Sequence, residues 1–163
     1  MTVREAFLRL VVMVFLVVST ALLFGCAAKP LEPESKPPVL YPQQAQIHVQ
    51  QGSVAYENGD VPAAIESWNL AVELNPADAV TVNNLALLLK QDNRFNEAAE
   101  LLEKGLDLSP EVAELHYNLA IISELYLLDL DRALVHYQRY QRLSESEDKK
   151  VTGWIADLER RLD

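Results

Sequence analysis

The residues with the most versatile chemistry in this sequence are one cysteine, Cys26, and three histidines, His48, His116 and His136. A thiolate is a nucleophile and a metal ligand, and an imidazole ligates metals or transfers protons near neutral pH. The sequence nevertheless shows no Ser/His/Asp or Cys/His arrangement and no glycine-rich phosphate loop. We therefore expect a protein that is not an enzyme and that holds no metal ion or cofactor.

The elements that must position these residues are indicated by a repeat with a period of 34 residues. Small residues, one large apolar residue and a terminal proline recur in register. The first set is Gly52, Tyr56, Gly59, Ala64, Trp68, Ala71 and Pro76, and the second is Ala86, Lys90, Asn93, Ala98, Leu102, Gly105 and Pro110. Such a period is typical of helix pairs that bury their apolar faces only by stacking on their neighbours. The sequence thus predicts an all-α solenoid in which Trp68, Leu102 and Tyr137 fill the space between units.

The repeat also separates the histidines. His48 and His116 occupy equivalent positions two units apart, roughly 15–20 Å at helix-packing distances, so they cannot ligate one metal ion. His116 and His136 have no carboxylate or cysteine partner at ligand spacing on the same face. We expect these histidines to have packing or surface roles.

The repeat resembles the tetratricopeptide repeat (TPR) family. Residues 45–78 match the family pattern at Gly52, Tyr56, Gly59, Asp60, Ala64, Ala71, Leu74 and Pro76. Residues 79–112 match it at Asn84, Leu85, Ala86, Phe95, Ala98, Leu108 and Pro110, and the unit at 113–144 matches it at Tyr117, Asn118, Leu119 and Ala120. The resemblance implies a right-handed solenoid of helical hairpins with about three units, over residues 45–144.

The third unit departs from the family pattern after its first helix. An extra residue lies within 124–128, no glycine ends the first helix, and Glu145 stands where a proline is expected. We expect the second helix of this unit to be shifted along the sequence.

A last helix is predicted within residues 145–163. Ser146, Glu147 and Asp148 favour a helix start, and apolar residues recur at helical spacing in Val151, Trp154, Ile155, Leu158 and Leu162. Its apolar stripe would cap the open end of the stack. A partner-binding amphipathic helix is the alternative.

The amino terminus has the features of a secretory signal peptide over residues 1–25. Arg4 and Arg9 precede an uncharged run, Leu10–Phe24, which ends shortly before Cys26. The sequence around Cys26 resembles the bacterial lipobox, which implies cleavage before this residue and attachment of diacylglycerol and acyl lipid to it. An uncleaved membrane anchor is the alternative, because residues 10–28 are uncharged and nearly long enough to span a bilayer.

Residues 26–44 form a predicted tether between the lipid and the repeats. This segment contains Pro30, Pro33, Pro37, Pro38 and Pro42, and proline-rich chains are extended and semi-rigid. A docking motif for a separate domain is the alternative reading. Ala27 is not the aspartate that resembles an inner-membrane retention signal, so we expect the outer membrane, facing the periplasm, if the source is Gram-negative.

Charge excludes two classes of partner. Residues 45–163 contain 21 acidic and 10 basic residues, a net charge of −11. Binding to nucleic acid or to anionic lipid needs basic patches. We expect a protein or peptide partner in the cell envelope and no nucleic acid.

The resemblance also implies a binding site, because in the family the first helices line a concave groove that holds a peptide. Carried onto this sequence, the groove residues are Val49, Ser53, Tyr56, Asn83, Asn84, Leu87, Lys90, Tyr117, Asn118, Ile121 and Glu124. Lys90 is the one basic residue among them, so the family's clamp for terminal carboxylates is not reproduced. For Asn84 and Asn118, a role in tying adjacent helices together remains equally open.

These features predict a lipid-anchored TPR adaptor or scaffold that binds another envelope protein, and the resemblance implies a role in pilus, secretion or cell-wall assembly. Two alternatives remain open. One is a structural subunit that self-associates, with the uncapped end at Ala45 permitting a homodimer. The other is an uncleaved, signal-anchored TPR protein that regulates an envelope enzyme.

Overall fold

Residues 40–163, which the computed structural model describes, form seven helices joined by short turns. The helices are α1 Pro42–Glu57, α2 Val61–Leu74, α3 Ala79–Gln91, α4 Phe95–Leu108, α5 Ala113–Leu125, α6 Leu130–Leu143 and α7 Lys149–Leu162. Each helix packs on the next along the chain, and α3 also contacts α5. Three helix pairs followed by one further helix confirm the predicted all-α repeat fold. The predicted signal peptide, Cys26 and the predicted tether up to residue 39 lie outside the described residues.

The first helix begins earlier than the predicted unit boundary at Ala45. Helix α1 starts at Pro42, where the missing amide hydrogen of proline costs nothing because first-turn amides have no partner within the helix. The amide of Tyr41 donates to the carbonyl oxygen of Leu74 at 2.8 Å, which joins the start of α1 to the end of α2. The tether prediction of 26–44 is therefore wrong over residues 42–44, which belong to the repeats.

Aspartate side chains begin four of the helices. Asp60, Asp78, Asp129 and Asp148 accept hydrogen bonds from backbone amides in the first turn of α2, α3, α6 and α7. An acidic cap satisfies amides that have no partner within the helix and suits the helix dipole. Part of the acidic composition is thus explained by the need to start helices at fixed points. The last helix is capped by Asp148 and not by Ser146.

The turn inside each unit uses a residue with positive φ. Gly59, Asn93 and Leu128 have φ values of 77°, 61° and 56°, respectively. The second helices begin at Val61, Phe95 and Leu130, so their spacing is 34 and then 35 residues. The predicted one-residue shift in the third unit is confirmed, and a leucine takes the position that glycine holds in the first unit.

The interior consists of two apolar clusters. The larger one joins α2, α3, α4 and α5, and in it Trp68 and Leu102 are buried as predicted. Trp68 lies directly over Gly52, and its indole Nε1 donates to the carbonyl oxygen of Val49 at 3.2 Å. A residue with a Cβ atom at position 52 would collide with the indole, so Gly52 accommodates this ring within the first unit.

The second cluster holds the last helix on the third unit. Val151, Ile155 and Leu158 of α7 are buried against Ala133 and the fully buried Tyr137. The polar side of α7 faces solvent with Arg160 and Arg161 in its last turn. The structure thus agrees with the capping interpretation of this helix. Within residues 40–163, no helix has the length and apolarity needed to cross a membrane.

Candidate functional site

A surface cavity of about 300 Å³ lies between the first helices of the first and second units. Helix α1 contributes Ser53, Tyr56 and Glu57, and α3 contributes residues from the same side of the stack. The complete lining is Ser53, Tyr56, Glu57, Trp68, Asn84, Leu87, Leu88 and Gln91. Four residues of the predicted groove, Ser53, Tyr56, Asn84 and Leu87, therefore meet in one place.

The cavity combines an aromatic wall with exposed amides. The ring of Tyr56 is 45% exposed and lies 5.8 Å from the Trp68 ring, centre to centre. The carbonyl oxygen of Val49 accepts two hydrogen bonds, one from Trp68 Nε1 at 3.2 Å and one from the Ser53 hydroxyl at 3.0 Å. The amides of Asn84 and Gln91 are on exposed residues at the opposite wall. Such a surface can bury an apolar side chain and hydrogen-bond a peptide backbone.

Several cavity residues were not among the predicted groove positions. Glu57 and Gln91 lie one helical turn beyond Ser53 and Leu87, respectively, so i,i+4 spacing places each pair on the same helix face. That spacing was the available signal for them. Trp68 was predicted only as a core residue, and Leu88 was not singled out. Both residues are almost fully buried, and both also border the cavity.

Other predicted groove residues serve the packing between helices. The side-chain amide of Asn118 donates to Asn83 Oδ1 at 2.6 Å and thereby joins α5 to α3. For Asn118 the helix-tying role is therefore the one observed, whereas Asn84 lines the cavity. Val49 is half-buried and contributes its carbonyl oxygen, and Lys90 is half-buried outside the cavity lining.

In the third unit the predicted groove residues pack against the end of the stack. Tyr117 lies 5.0 Å from the ring of Tyr140 and 6.5 Å from that of Trp154, and Ile121 packs against the same cluster. Glu124 Oε2 accepts a hydrogen bond from the Tyr137 hydroxyl at 2.9 Å, and Arg161 lies 3.7 Å from Glu124 Oε1. Helix α7 and its aromatic neighbours thus contact the third-unit positions, and binding by this part of the groove stays a prediction.

Burial changes the acidity of these tyrosines. Desolvation raises the pKa of Tyr137, and the adjacent Glu124 carboxylate raises it further. Desolvation also raises the pKa of Tyr117, with smaller contributions from Asp148 and Tyr140. Both hydroxyls stay protonated at neutral pH, so Tyr137 donates its proton to Glu124 and acts as a structural contact.

The structure brings together two histidines that the sequence left apart. His116 Nδ1 and His136 Nδ1 are 2.8 Å apart, and His116 Nε2 lies 3.0 Å from the carbonyl oxygen of Pro110. A carbonyl only accepts, so neutral His116 carries its proton on Nε2 and its Nδ1 accepts from His136. Desolvation lowers the pKa of both rings, that of His136 to about 4, where proximity to His116 contributes as well.

Among residues 40–163, the two histidines lack further ligands for a metal ion. Within the part of the chain that the structure describes, no group of three or more histidine, cysteine, aspartate or glutamate side chains could hold a metal. The pair is a hydrogen-bonded contact between α5 and α6.

Comparison with known proteins identifies the class to which this fold belongs. The family model described as "Tetratricopeptide repeat" matches residues 80–112, which cover α3, α4 and the turns beside them. The first tetratricopeptide repeat domain of Spaghetti (RPAP3), solved with an HSP90 peptide of sequence SRMEEVD, superposes with a TM-score of 0.66 at 17% identity over 77% of this chain and 98% of that one. At that identity the similarity shows the fold.

Sequence relatives agree with this assignment. An uncharacterized protein of Methanocaldococcus jannaschii is 33% identical over 76 residues, which cover 47% of this chain and 88% of that protein. The peroxisomal targeting signal receptor of Kluyveromyces lactis is 36% identical over 72 residues, which cover 44% of this chain and 13% of the receptor. The chain thus spans only a small part of the length of that curated relative. The chain belongs to the tetratricopeptide repeat family, whose members generally act as protein-interaction modules.

Proposed function

We propose that this protein is a membrane-anchored adaptor that binds a segment of another cell-envelope protein in the cavity between α1 and α3. The observation that carries the proposal is the convergence of Ser53, Tyr56, Asn84 and Leu87 on one cavity of about 300 Å³. Cavities of this size, with apolar walls and a few polar groups, are typical of ligand sites.

The lining defines the chemistry of the segment. Tyr56 and Leu87 offer apolar surface for one or two large side chains, and the amides of Asn84 and Gln91 suit a peptide backbone. Glu57 is the one charged residue of the lining. A neutral or basic segment therefore fits better than an acidic peptide such as the SRMEEVD peptide in the Spaghetti structure.

The membrane part of the proposal rests on the sequence alone. An uncharged run followed by Cys26 supports lipid attachment at this cysteine, and more than one acyl chain would anchor the protein stably. The full-length protein should be labelled by an alkyne fatty acid and should lose residues 1–25, whereas Cys26→Ala should abolish the labelling and keep residues 1–25 attached, as mass spectrometry shows. An unlabelled protein that keeps residues 1–25 without any substitution would favour an uncleaved apolar anchor instead.

The groove is tested by photo-crosslinking in native cells. A photo-reactive residue replaces Asn84 in the cavity, and a second variant carries it at Glu100, which is exposed on the second helix of the next hairpin, α4. We expect one envelope protein to be captured at position 84 and not at position 100, and mass spectrometry identifies the captured segment. Equal capture at both positions, or none at position 84, would overturn the proposal.

A further inference from the structure

The two ends of the solenoid differ in the surface that they present. At the carboxyl end, α7 buries its apolar stripe and exposes charged residues. At the amino end, α1 packs mainly on α2, and the large apolar residues Ile47 and Val54 are 58% and 57% exposed. Helical repeats need a polar surface on both terminal units, because an uncovered repeat face is apolar. Among residues 40–163, no helix covers this end as α7 covers the other.

This exposed face of α1 is separate from the cavity. Ile47, Gln50, Val54 and Asn58 lie on one side of the helix, whereas Ser53 and Tyr56 point to the other. The face is a shallow depression of about 530 Å³. A partner at this surface would leave the cavity free.

Charge distinguishes this face from the rest of the molecule. Residues 45–163 carry a net charge of −11, but Glu57 is the only charged residue in the whole of α1. The one acid that borders the depression is Asp60, whose carboxylate is engaged in capping α2. Two copies of an acidic protein repel each other across most surfaces. At this face they would meet without opposing like charges, with apolar side chains and glutamine amides on both sides.

The sequence of residues 27–39 is a poor chemical match for this face. Residues 27–39 hold four prolines and the charged residues Lys29, Glu32, Glu34 and Lys36, with Leu31 and Val39 as the large apolar side chains. Burying those charges against Ile47 and Val54 without partners would be costly.

We infer that the α1 face is the contact between two copies of this chain, related by a two-fold axis near Gln50 in the middle of the helix. In a two-fold contact the same patch serves both copies, so Ile47 of one copy meets the Val54 region of the other. Helix α1 is about 24 Å long. A contact along one such helix is smaller than the ~1,200–2,000 Å² of a stable interface, so the dimer is weak and transient.

The test uses the full-length chain in its native membrane. A photo-reactive residue at Gln50 should yield an adduct with the mass of two chains, and the same residue at Glu66, exposed on α2, should not. Adding Val54→Glu should lower the yield of this adduct at least about tenfold, because it sets an unpaired charge against the apolar Ile47 of the other copy. Val135→Glu is the matched control, since Val135 on α6 is 59% exposed, and it should leave the yield unchanged.

Other outcomes would overturn the inference. These are an adduct with residues 1–39 of the same chain, an adduct with a different protein, or no adduct at all. An equal loss of adduct with Val54→Glu and Val135→Glu would do the same. The probe at Gln50 tests the dimer, and the probe at Asn84 tests the adaptor proposal. A negative result at one position therefore does not contradict the proposal that is tested at the other.

Discussion

At the scale of single residues, the close contact between Gly52 and Trp68 makes a sharp prediction. A Cβ atom at position 52 would lie 2.4 Å from Trp68 Cδ1 and 2.5 Å from Nε1. Gly52→Ala must therefore displace the indole and its hydrogen bond to Val49, and we expect a loss of about 1–3 kcal/mol in the free energy of unfolding. Urea unfolding measures this loss.

The matched control is Gly153→Ala in α7, where an added Cβ would meet nothing within 4 Å. Alanine is the better helix former, so this variant should be more stable by about 0.5–1 kcal/mol. Equal effects of the two substitutions would show that position 52 tolerates a side chain and that the account of the first unit is wrong.

The histidine pair predicts a dependence of stability on pH. The pKa of His136 is lowered from 6.5 to about 4 in the folded protein. Between these values the unfolded chain binds more protons than the folded chain, so the free energy of unfolding falls as pH decreases from about 6.5 towards 4. Desolvation lowers the pKa of His116 as well, which acts in the same direction.

This contribution is measured by comparing urea unfolding at pH 7.5 and pH 5 for the protein and for His136→Gln. Glutamine does not titrate, so we expect the variant to lose about 1–2 kcal/mol less stability between these two pH values. That range is below the full linkage value because the ring is partly exposed. If the free energy of unfolding of His136→Gln changed with pH as much as that of the unmodified protein, His136 would not be buried in its neutral form.

At the scale of elements, the turn between α5 and α6 contains strain that a substitution can relieve. Leu128 has φ of 56° and its side chain is 76% exposed, so it contributes little packing to offset a conformation that disfavours a Cβ atom. Leu128→Gly should raise the midpoint temperature of thermal unfolding, by an amount that corresponds to a gain of about 1 kcal/mol in the free energy of unfolding. Leu70→Gly, at a 40% exposed position inside α2, should instead lower it by a similar amount. A lower midpoint for Leu128→Gly would contradict this description of the turn.

The capping role of α7 is tested by two identical substitutions in that helix. Leu158 is fully buried and Leu162 is 39% exposed. Leu158→Ala should lower the free energy of unfolding by about 2–5 kcal/mol, because it leaves a cavity. Leu162→Ala should lower it by well under half of that amount. Chemical denaturation of both variants provides the comparison, and a small effect of Leu158→Ala would mean that α7 does not hold the end of the stack.

The repeat pattern predicted these elements because each small or large residue recurs where two helices must fit. Gly52, Trp68 and Ala133 are examples whose burial follows from their repeat position alone. The start of α1 and the His116–His136 contact were not predicted. Both depend on non-periodic details: a hydrogen bond from Tyr41 to Leu74 and one between two histidine side chains of the third unit.

At the scale of the whole molecule, the structure brings some of the predicted groove residues together in one part of the stack. Ser53, Tyr56, Asn84 and Leu87 share a cavity as the repeat register requires. Tyr117 and Glu124 occupy equivalent register positions but contact residues from α6 and α7. A register places residues on a face, whereas the packing of the last helix decides which part of that face stays open.

The central claim is that the cavity between α1 and α3 binds a peptide segment, and the most direct test is the affinity for the segment captured at position 84. Titration calorimetry compares the protein with Tyr56→Ala and with Tyr126→Ala. The two tyrosines are 45% and 44% exposed, and each contacts one aromatic ring, Trp68 and Phe95, respectively. We expect Tyr56→Ala to weaken binding at least about tenfold and Tyr126→Ala less than about twofold. Equal affinities for the two variants would contradict the account.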